Sequence, residues 1–220
     1  MPDAVVFDLD GVLLDSEQRW NEAKEEVVRE RGGRWVDEAP EVMLGMSSPE
    51  WSAYMRDELG APLAAEEINE LVVEHMSSGY RRELPLLPGA SAAVRALAGR
   101  WPLGLASSAN REIIDTFLEL SGLAGEFAVT LSSEQVARGK PSPDVYLEVL
   151  RRLAVDPSST VAVEDSGNGI RAAAAAGMTV IAVPNPHYPP GEALDLAAAT
   201  VATPGELTPE LVESVASARP

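Results

Sequence analysis

Asp8 and Asp10 stand two positions apart at the end of an apolar run, in Asp8-Leu9-Asp10-Gly11. Ser107, Ser108 and Asn110 follow a second run, and Glu164, Asp165 and Ser166 a third. If these clusters meet at one sheet edge, three or four carboxylates cannot all stay ionised there without a cation. A donor set of Asp8, Asp10, Glu164 and Asp165, all oxygen with no His or Cys, suits Mg2+. Lys140 supplies positive charge of another kind. Only Lys24 and Lys140 are lysines, the other fifteen basic residues being arginine. Lys140 lies in Gly139-Lys140-Pro141-Ser142-Pro143-Asp144, where two prolines hold the backbone ahead of a helix. A compact ammonium fixed there would neutralise a phosphate and an adjacent carboxylate together. Lys24, beside Glu25 and Glu26, reads instead as part of a solvated helix face. Taken singly, each cluster also has a plainer reading: an acidic turn after a strand, a helix N-cap at Ser107-Ser108, a loop opening a helix after Asp165, a surface lysine. Their shared position at strand ends is what argues for chemistry.

That position depends on the elements. Ala4–Phe7, Leu103–Ala106, Phe127–Thr130, Val161–Val163 and Val180–Val183 are short apolar runs that predict buried strands. Between them, Ala90, Ala93, Val94, Leu97 and Ala98 recur at helical spacing, as do Ile113, Ile114, Phe117 and Leu118, and Tyr146, Val149, Leu150 and Leu153. Strands alternating with helices predict an α/β fold, a Rossmann-like doubly wound parallel sheet. Such sheets bind ligands at the carboxyl ends of their strands. From Asp15 to Leu87 the alternation stops and only helical patterns remain. Trp20, Ala23 and Val27 share one face, Trp51, Tyr54 and Met55 another, and Ile68, Leu71, Val72, His75 and Met76 a third. Pro85 and Pro88 would stiffen the return crossing. The expected division is a catalytic core of residues 1–14 and 88–220 with a helical cap domain, residues 15–87, inserted.

Composition narrows the function classes. The 220 residues carry 35 acidic against 17 basic side chains, a net charge of −18, with 45% hydrophobic residues. That is a globular balance rather than a disordered acidic one. No Cys is present, which removes thiolate chemistry and disulfides, and two histidines cannot build a multi-histidine metal site. So negative a surface repels phosphate backbones and anionic membranes, so no nucleic-acid or membrane partner is expected. No apolar run reaches membrane-helix length and the N-terminus has no signal pattern, so the expected location is cytoplasmic.

Phe7-Asp8-Leu9-Asp10-Gly11-Val12, then Ser107, then Lys140-Pro141, then Glu164-Asp165 resemble the four ordered motifs of the haloacid dehalogenase superfamily, along the whole chain. The insert after the first motif resembles the helical cap of the subgroup that includes β-phosphoglucomutase and many sugar-phosphate phosphatases. The resemblance implies a Mg2+-dependent phosphatase acting on a small phosphorylated metabolite, a sugar phosphate, and a monomer. Asp8 would be the nucleophile and Asp10 the general acid and base. Mg2+ would be held by Asp8 and Asp165, the backbone carbonyl of Asp10, and Glu164 directly or through water. Ser107 and Lys140 would complete the catalytic set, with Ser107, amides near Ser108, and Asn110 at the phosphoryl oxygens. Cap residues would read the leaving group, with Trp20, Met46, Ser47, Ser48 and His75 as candidates. His75 and Trp20 also read as cap core, and Arg111 either grips a distal phosphate or pairs with Glu112 or Asp115.

Rival chemistries are weighed on the same residues. Relatives that cleave carbon–halogen bonds lack the second Asp, which is present here as Asp10. A phosphonate hydrolase would need a cap lysine for a Schiff base, and residues 25–139 contain none. Mutase relatives carry a His in the first cap helix, where this chain reads Ser16-Glu17-Gln18-Arg19-Trp20, and an Arg often found near Gly45-Met46-Ser47-Ser48 is missing. A non-catalytic binding protein on the same fold is the third reading, which no residue favours.

Overall fold

The computed structural model describes residues 1–43 and 46–218. Gly45, part of the loop considered for a mutase arginine, lies outside them. Six strands, β1 (Ala4–Phe7), β2 (Leu103–Ser107), β3 (Phe127–Ser132), β4 (Thr160–Glu164), β5 (Thr179–Ala182) and β6 (Ala199–Thr200), form one parallel sheet in the order β3-β2-β1-β4-β5-β6. The five apolar runs each become a strand. β6 has only two residues and pairs with β5 alone, so no apolar run announces it. Val5 of β1 pairs with Leu103 on one side and Val161 on the other. The strands that carry the chemical clusters are therefore adjacent, and strand order reverses at β1, where open parallel sheets form a crevice.

Helices α1 (Glu17–Glu30), α2 (Ala39–Met43), α3 (Ser48–Asp57) and α4 (Ala65–Arg82) follow β1. Then come α5 (Ala90–Ala98), α6 (Arg111–Ser121), α7 (Asp144–Leu153), α8 (Gly167–Ala175) and α9 (Pro209–Ser217). Side chains alternate across a strand. Val5 and Phe7 accordingly join the apolar layer of Val94, Ile114, Phe117 and Val212, from α5, α6 and α9. Val6 joins the opposite layer, with Tyr146 and Val149 of α7 and Ile170 of α8. Both faces of the sheet are thus covered, the doubly wound arrangement.

The four inserted helices bury Trp20, Val27, Trp51, Met55, Ile68, Val72 and Met76. α2 is a single short turn with no periodic stripe of its own, and the sequence patterns do not single it out. The two crossings between insert and sheet pair with each other: the Leu87 N–H donates to the Leu13 carbonyl (3.0 Å) and the Asp15 N–H to the Pro85 carbonyl (2.8 Å). Among the described residues no helix is long and apolar enough to cross a membrane.

Candidate active site

The site begins where β1 ends. The Asp8 N–H still donates to the Val163 carbonyl (3.0 Å), and the chain then folds back so that the Gly11 N–H donates to the Leu14 carbonyl (2.8 Å). Gly11 has φ +74°, and a Cβ on it would lie 1.9 Å from Asp165 Oδ2. Both facts demand glycine, and together they press the acid after β4 against the loop after β1.

Lys140 ties three strand ends together. Its Nζ donates to Asp8 Oδ1 (2.6 Å), Glu164 Oε1 (2.6 Å) and the Ala106 carbonyl (3.0 Å), at the ends of β1, β4 and β2. Glu164 is fully buried and accepts from the Tyr146 hydroxyl (2.6 Å) and the Asp165 N–H (3.1 Å). The first turn of α8 sits so close that a Cβ on Gly169 would fall 1.9 Å from Glu164 Oε1. That helix end favours negative charge.

Electrostatics here are unbalanced. Burial pushes Asp8 up to about 8, Glu164 and Asp10 adding to the rise against the pull of Lys140. Asp165 is raised well above the carboxylate range by burial and then by Glu164 and Asp8. Burial works against the Lys140 ammonium, but Asp8 and Glu164 outweigh it and hold its pKa above the usual lysine value. Asp8, Glu164 and Asp165 offer oxygens within 4.8 Å of one another. A buried acidic excess around an all-oxygen donor set is what a hard divalent cation would relieve, so these residues fit a Mg2+-type ion.

Asp10 leans toward the insert. Its Oδ1 accepts from Ser16 Oγ (2.5 Å) and from the Trp20 indole Nε1 (3.1 Å). Burial raises its pKa while these two bonds pull the other way. Ser107 is buried and its Oγ accepts from the Ala109 N–H (3.0 Å). Asn110 joins insert to core: Ser48 Oγ donates to its Oδ1 (3.0 Å), and its Nδ2 donates to Glu134 Oε1 (2.6 Å).

A cavity of about 350 Å³ lies between α1, α3 and the sheet edge, and Asp8, Asp10, Lys140, Asp165, Ser108, Trp20, Ser48 and Met46 line it. Ser107, Asn110 and Glu164 stand behind that wall. Ser47 accepts a different duty, its N–H and hydroxyl both donating to Glu50 at the start of α3. Two further candidates, Arg111 and His75, also fall outside the lining. Arg111 pairs with Asp115 and donates to Thr130 Oγ1 (2.9 Å), the salt-bridge alternative of its two readings. His75 Nδ1 lies 3.2 Å from Glu26 Oε2 and joins α4 to α1.

Lys24 corrects the sequence reading. It is 7% exposed rather than solvated, with Nζ 5.7 Å from the Trp20 ring centre and 5.2 Å from that of Trp51. Glu17, Asn21 and Lys24 all line the cavity with Trp20. Their spacing of three to four residues, one helical face, is a signal the charged neighbours Glu25 and Glu26 obscured. The proline-rich loop after β5 also reaches the cavity, through Asn185 and Tyr188, and Tyr188 Oη accepts from Asn21 Nδ2 (3.2 Å).

The doubly wound sheet thus gathers two acids, a serine, a lysine and a second acid pair at its switch point. The family model of haloacid dehalogenase-like hydrolases matches residues 2–177, and the chain belongs to that family. It is 35% identical over 193 residues to hexitol phosphatase B of Escherichia coli (strain K12), covering 84% of both chains. It is 33% identical over 178 residues to the phosphorylated carbohydrates phosphatase of Thermotoga maritima, covering 80% of this chain and 82% of the relative. Among solved structures, CbbY from Rhodobacter sphaeroides in complex with phosphate matches with a TM-score of 0.83 at 29% identity, covering 94% of this chain and 96% of that one.

Proposed function

We propose that this protein is a Mg2+-dependent phosphatase that hydrolyses a small phosphorylated metabolite, a sugar or sugar-alcohol phosphate, through an aspartyl phosphate on Asp8. The observation that carries the reading is Lys140, held 2.6 Å from both Asp8 and Glu164 beneath a cavity. The relatives named for hexitol and carbohydrate phosphates support the substrate class. Residues 15–87 act as a cap over a core of residues 1–14 and 88–220.

Mg2+ held by Asp8, Asp165 and the Asp10 carbonyl would offset the repulsion between a carboxylate nucleophile and a phosphate anion. Glu164 would fix Lys140 from behind and assist the ion directly or through water. Asp8 forms a bond to phosphorus as the phosphorus–oxygen bond to the leaving group breaks, and Asp10 gives its proton to the departing oxygen. Asp10 then takes a proton from water, which attacks phosphorus and breaks the bond to Asp8, releasing phosphate. The raised Asp10 pKa suits a group that must begin protonated. Ser107, Ser108 and Lys140 stabilise the phosphoryl oxygens. Trp20 bears on the mutase alternative, because an indole N–H donates and cannot accept a proton from a second sugar hydroxyl. Here it orients Asp10 instead.

The test is phosphate release from phosphorylated hexitols, hexoses, small acids and nucleotides, with Mg2+ and with chelator, tracking positional isomers. Release that stops with chelator is expected. Isomer conversion without free phosphate would overturn the hydrolase reading. Asp10→Asn gives an independent check. It should slow hydrolysis of hexitol phosphates about a hundredfold to ten-thousandfold. With a nitrophenyl phosphate, whose leaving group needs no proton, the first step should survive and phosphoenzyme accumulate. Equal slowing of both substrates, with no phosphoenzyme, would remove Asp10 from the acid–base role.

A further inference from the structure

Lys24 is a buried cation with no carboxylate in direct contact; burial pushes its pKa down to about 8, while Glu17 and Asp10 act on it from further off. Among the described residues no acidic oxygen lies within 4 Å of its Nζ, whereas Lys140 has two at 2.6 Å. Its neighbours on two sides are the indole rings of Trp20 and Trp51, which attract an ammonium through their faces but accept no conventional hydrogen bond. Burying an ammonium this way is costly unless something completes its coordination. The open side of Lys24 is the cavity itself. Glu17 and Glu41 face the same space from the insert, and Arg171 from α8, so the wall is mixed in sign. Glu17 sits two helical turns toward Asp10, and burial with Asp10 pushes its carboxyl up to about 7, which weakens it as a counter-ion.

We propose that Lys24 is a specificity-determining residue that binds an anionic group on the leaving-group side of the substrate, a carboxylate or a second phosphate, against the faces of Trp20 and Trp51. The proposal rests on the phosphatase reading and narrows it. The phosphoryl group is taken by Lys140 and the strand ends, so the Lys24 ammonium meets the far end of the molecule. Trp20 links the two ends, bonding Asp10 through its nitrogen while its ring flanks Lys24.

Two matched pairs of substrates test this: a hexitol phosphate against the corresponding phosphorylated hexonic acid, and a ketohexose monophosphate against the bisphosphate. The wild-type protein should favour the more anionic member of at least one pair by about tenfold to a hundredfold in kcat/KM, mainly through KM, the range of one charge-assisted hydrogen bond. The pair that responds tells carboxylate from second phosphate. Lys24→Met should collapse that ratio and Lys24→Arg should retain it. A merely structural lysine would lower both members together and leave the ratio unmoved, which overturns the assignment. So does hydrolysis of the hexitol phosphate by the wild type without anionic preference, and that result leaves the phosphatase reading standing. Absence of any phosphate release counts against the phosphatase reading instead. Binding then decides Lys24 separately: tryptophan fluorescence titrations of Asp8→Asn protein with the hexonic acid phosphate should show about tenfold or more weaker binding when Lys24→Met is added. Unchanged binding would sink the proposal.

Discussion

Asp8→Asn is expected to reduce phosphate release roughly ten-thousandfold or more, with a melting temperature equal to or above that of the wild type. A carboxamide has the shape of the carboxylate but not its nucleophilic charge, so no aspartyl phosphate can form. The stability half follows from the site's electrostatics. Burial raises Asp8 to about 8 from its ordinary value of 3.8. A carboxyl raised in the folded state favours folding most when protonated, and that advantage disappears as pH rises from about 4 to about 8. At neutral pH without metal, the neutral Asn escapes this penalty. Lys140 keeps its bonds to Glu164 and the Ala106 carbonyl. Calorimetry in chelator beside a phosphate assay measures both halves. Residual activity of more than about one per cent in a folded variant would place the nucleophile elsewhere.

Much of this site is legible before any coordinates, for a physical reason. In an open parallel sheet, polar residues at strand ends converge by topology alone, so finding the apolar runs of β1, β2 and β4 places Asp8, Ser107 and Glu164 together. Lys140 stands out because arginine fills nearly every other basic position. Positions fixed by tertiary contact are harder. Lys24 looks solvated beside two glutamates, and its burial depends on Trp51, which arrives from α3. His75 has the right chemistry for substrate, yet Glu26 of α1 claims it, a partner chosen by helix packing, whereas Arg111 pairs with Asp115 one turn along its own helix, as its spacing already offered. Tyr188 reaches the cavity from a loop whose prolines indicate rigidity but not direction. Glu164 and Asp165 are adjacent in sequence but differ in duty: one turns inward under α8, the other outward into the cavity.

Lys140→Met should do what Asp8→Asn does not, removing activity and stability together. Methionine fills the space of the lysine stem but offers nothing to Asp8 Oδ1, Glu164 Oε1 or the Ala106 carbonyl. Two carboxylates 6% and 0% exposed lose their shared counter-ion. Removing one member of a buried ion pair typically costs about 3–5 kcal/mol, because the remaining charge is left uncompensated. For a chain of this size that is on the order of 10 °C in melting temperature. Turnover should fall about a thousandfold, since the ammonium also faces the phosphoryl oxygens. Added Mg2+ should restore part of the stability through Asp8 and Asp165. It should not restore all, because Glu164 lies behind the cavity wall with its oxygens turned to Lys140, Tyr146 and the Asp165 N–H. Lys140→Arg tests geometry apart from charge. A planar guanidinium presents its donors in a fork, whereas the three acceptors converge on one nitrogen, so the charge alone should rescue stability better than turnover. Thermal melts with and without Mg2+ give the ordering, and a Met variant as stable as the wild type in chelator would show that Lys140 does not hold the three strand ends together.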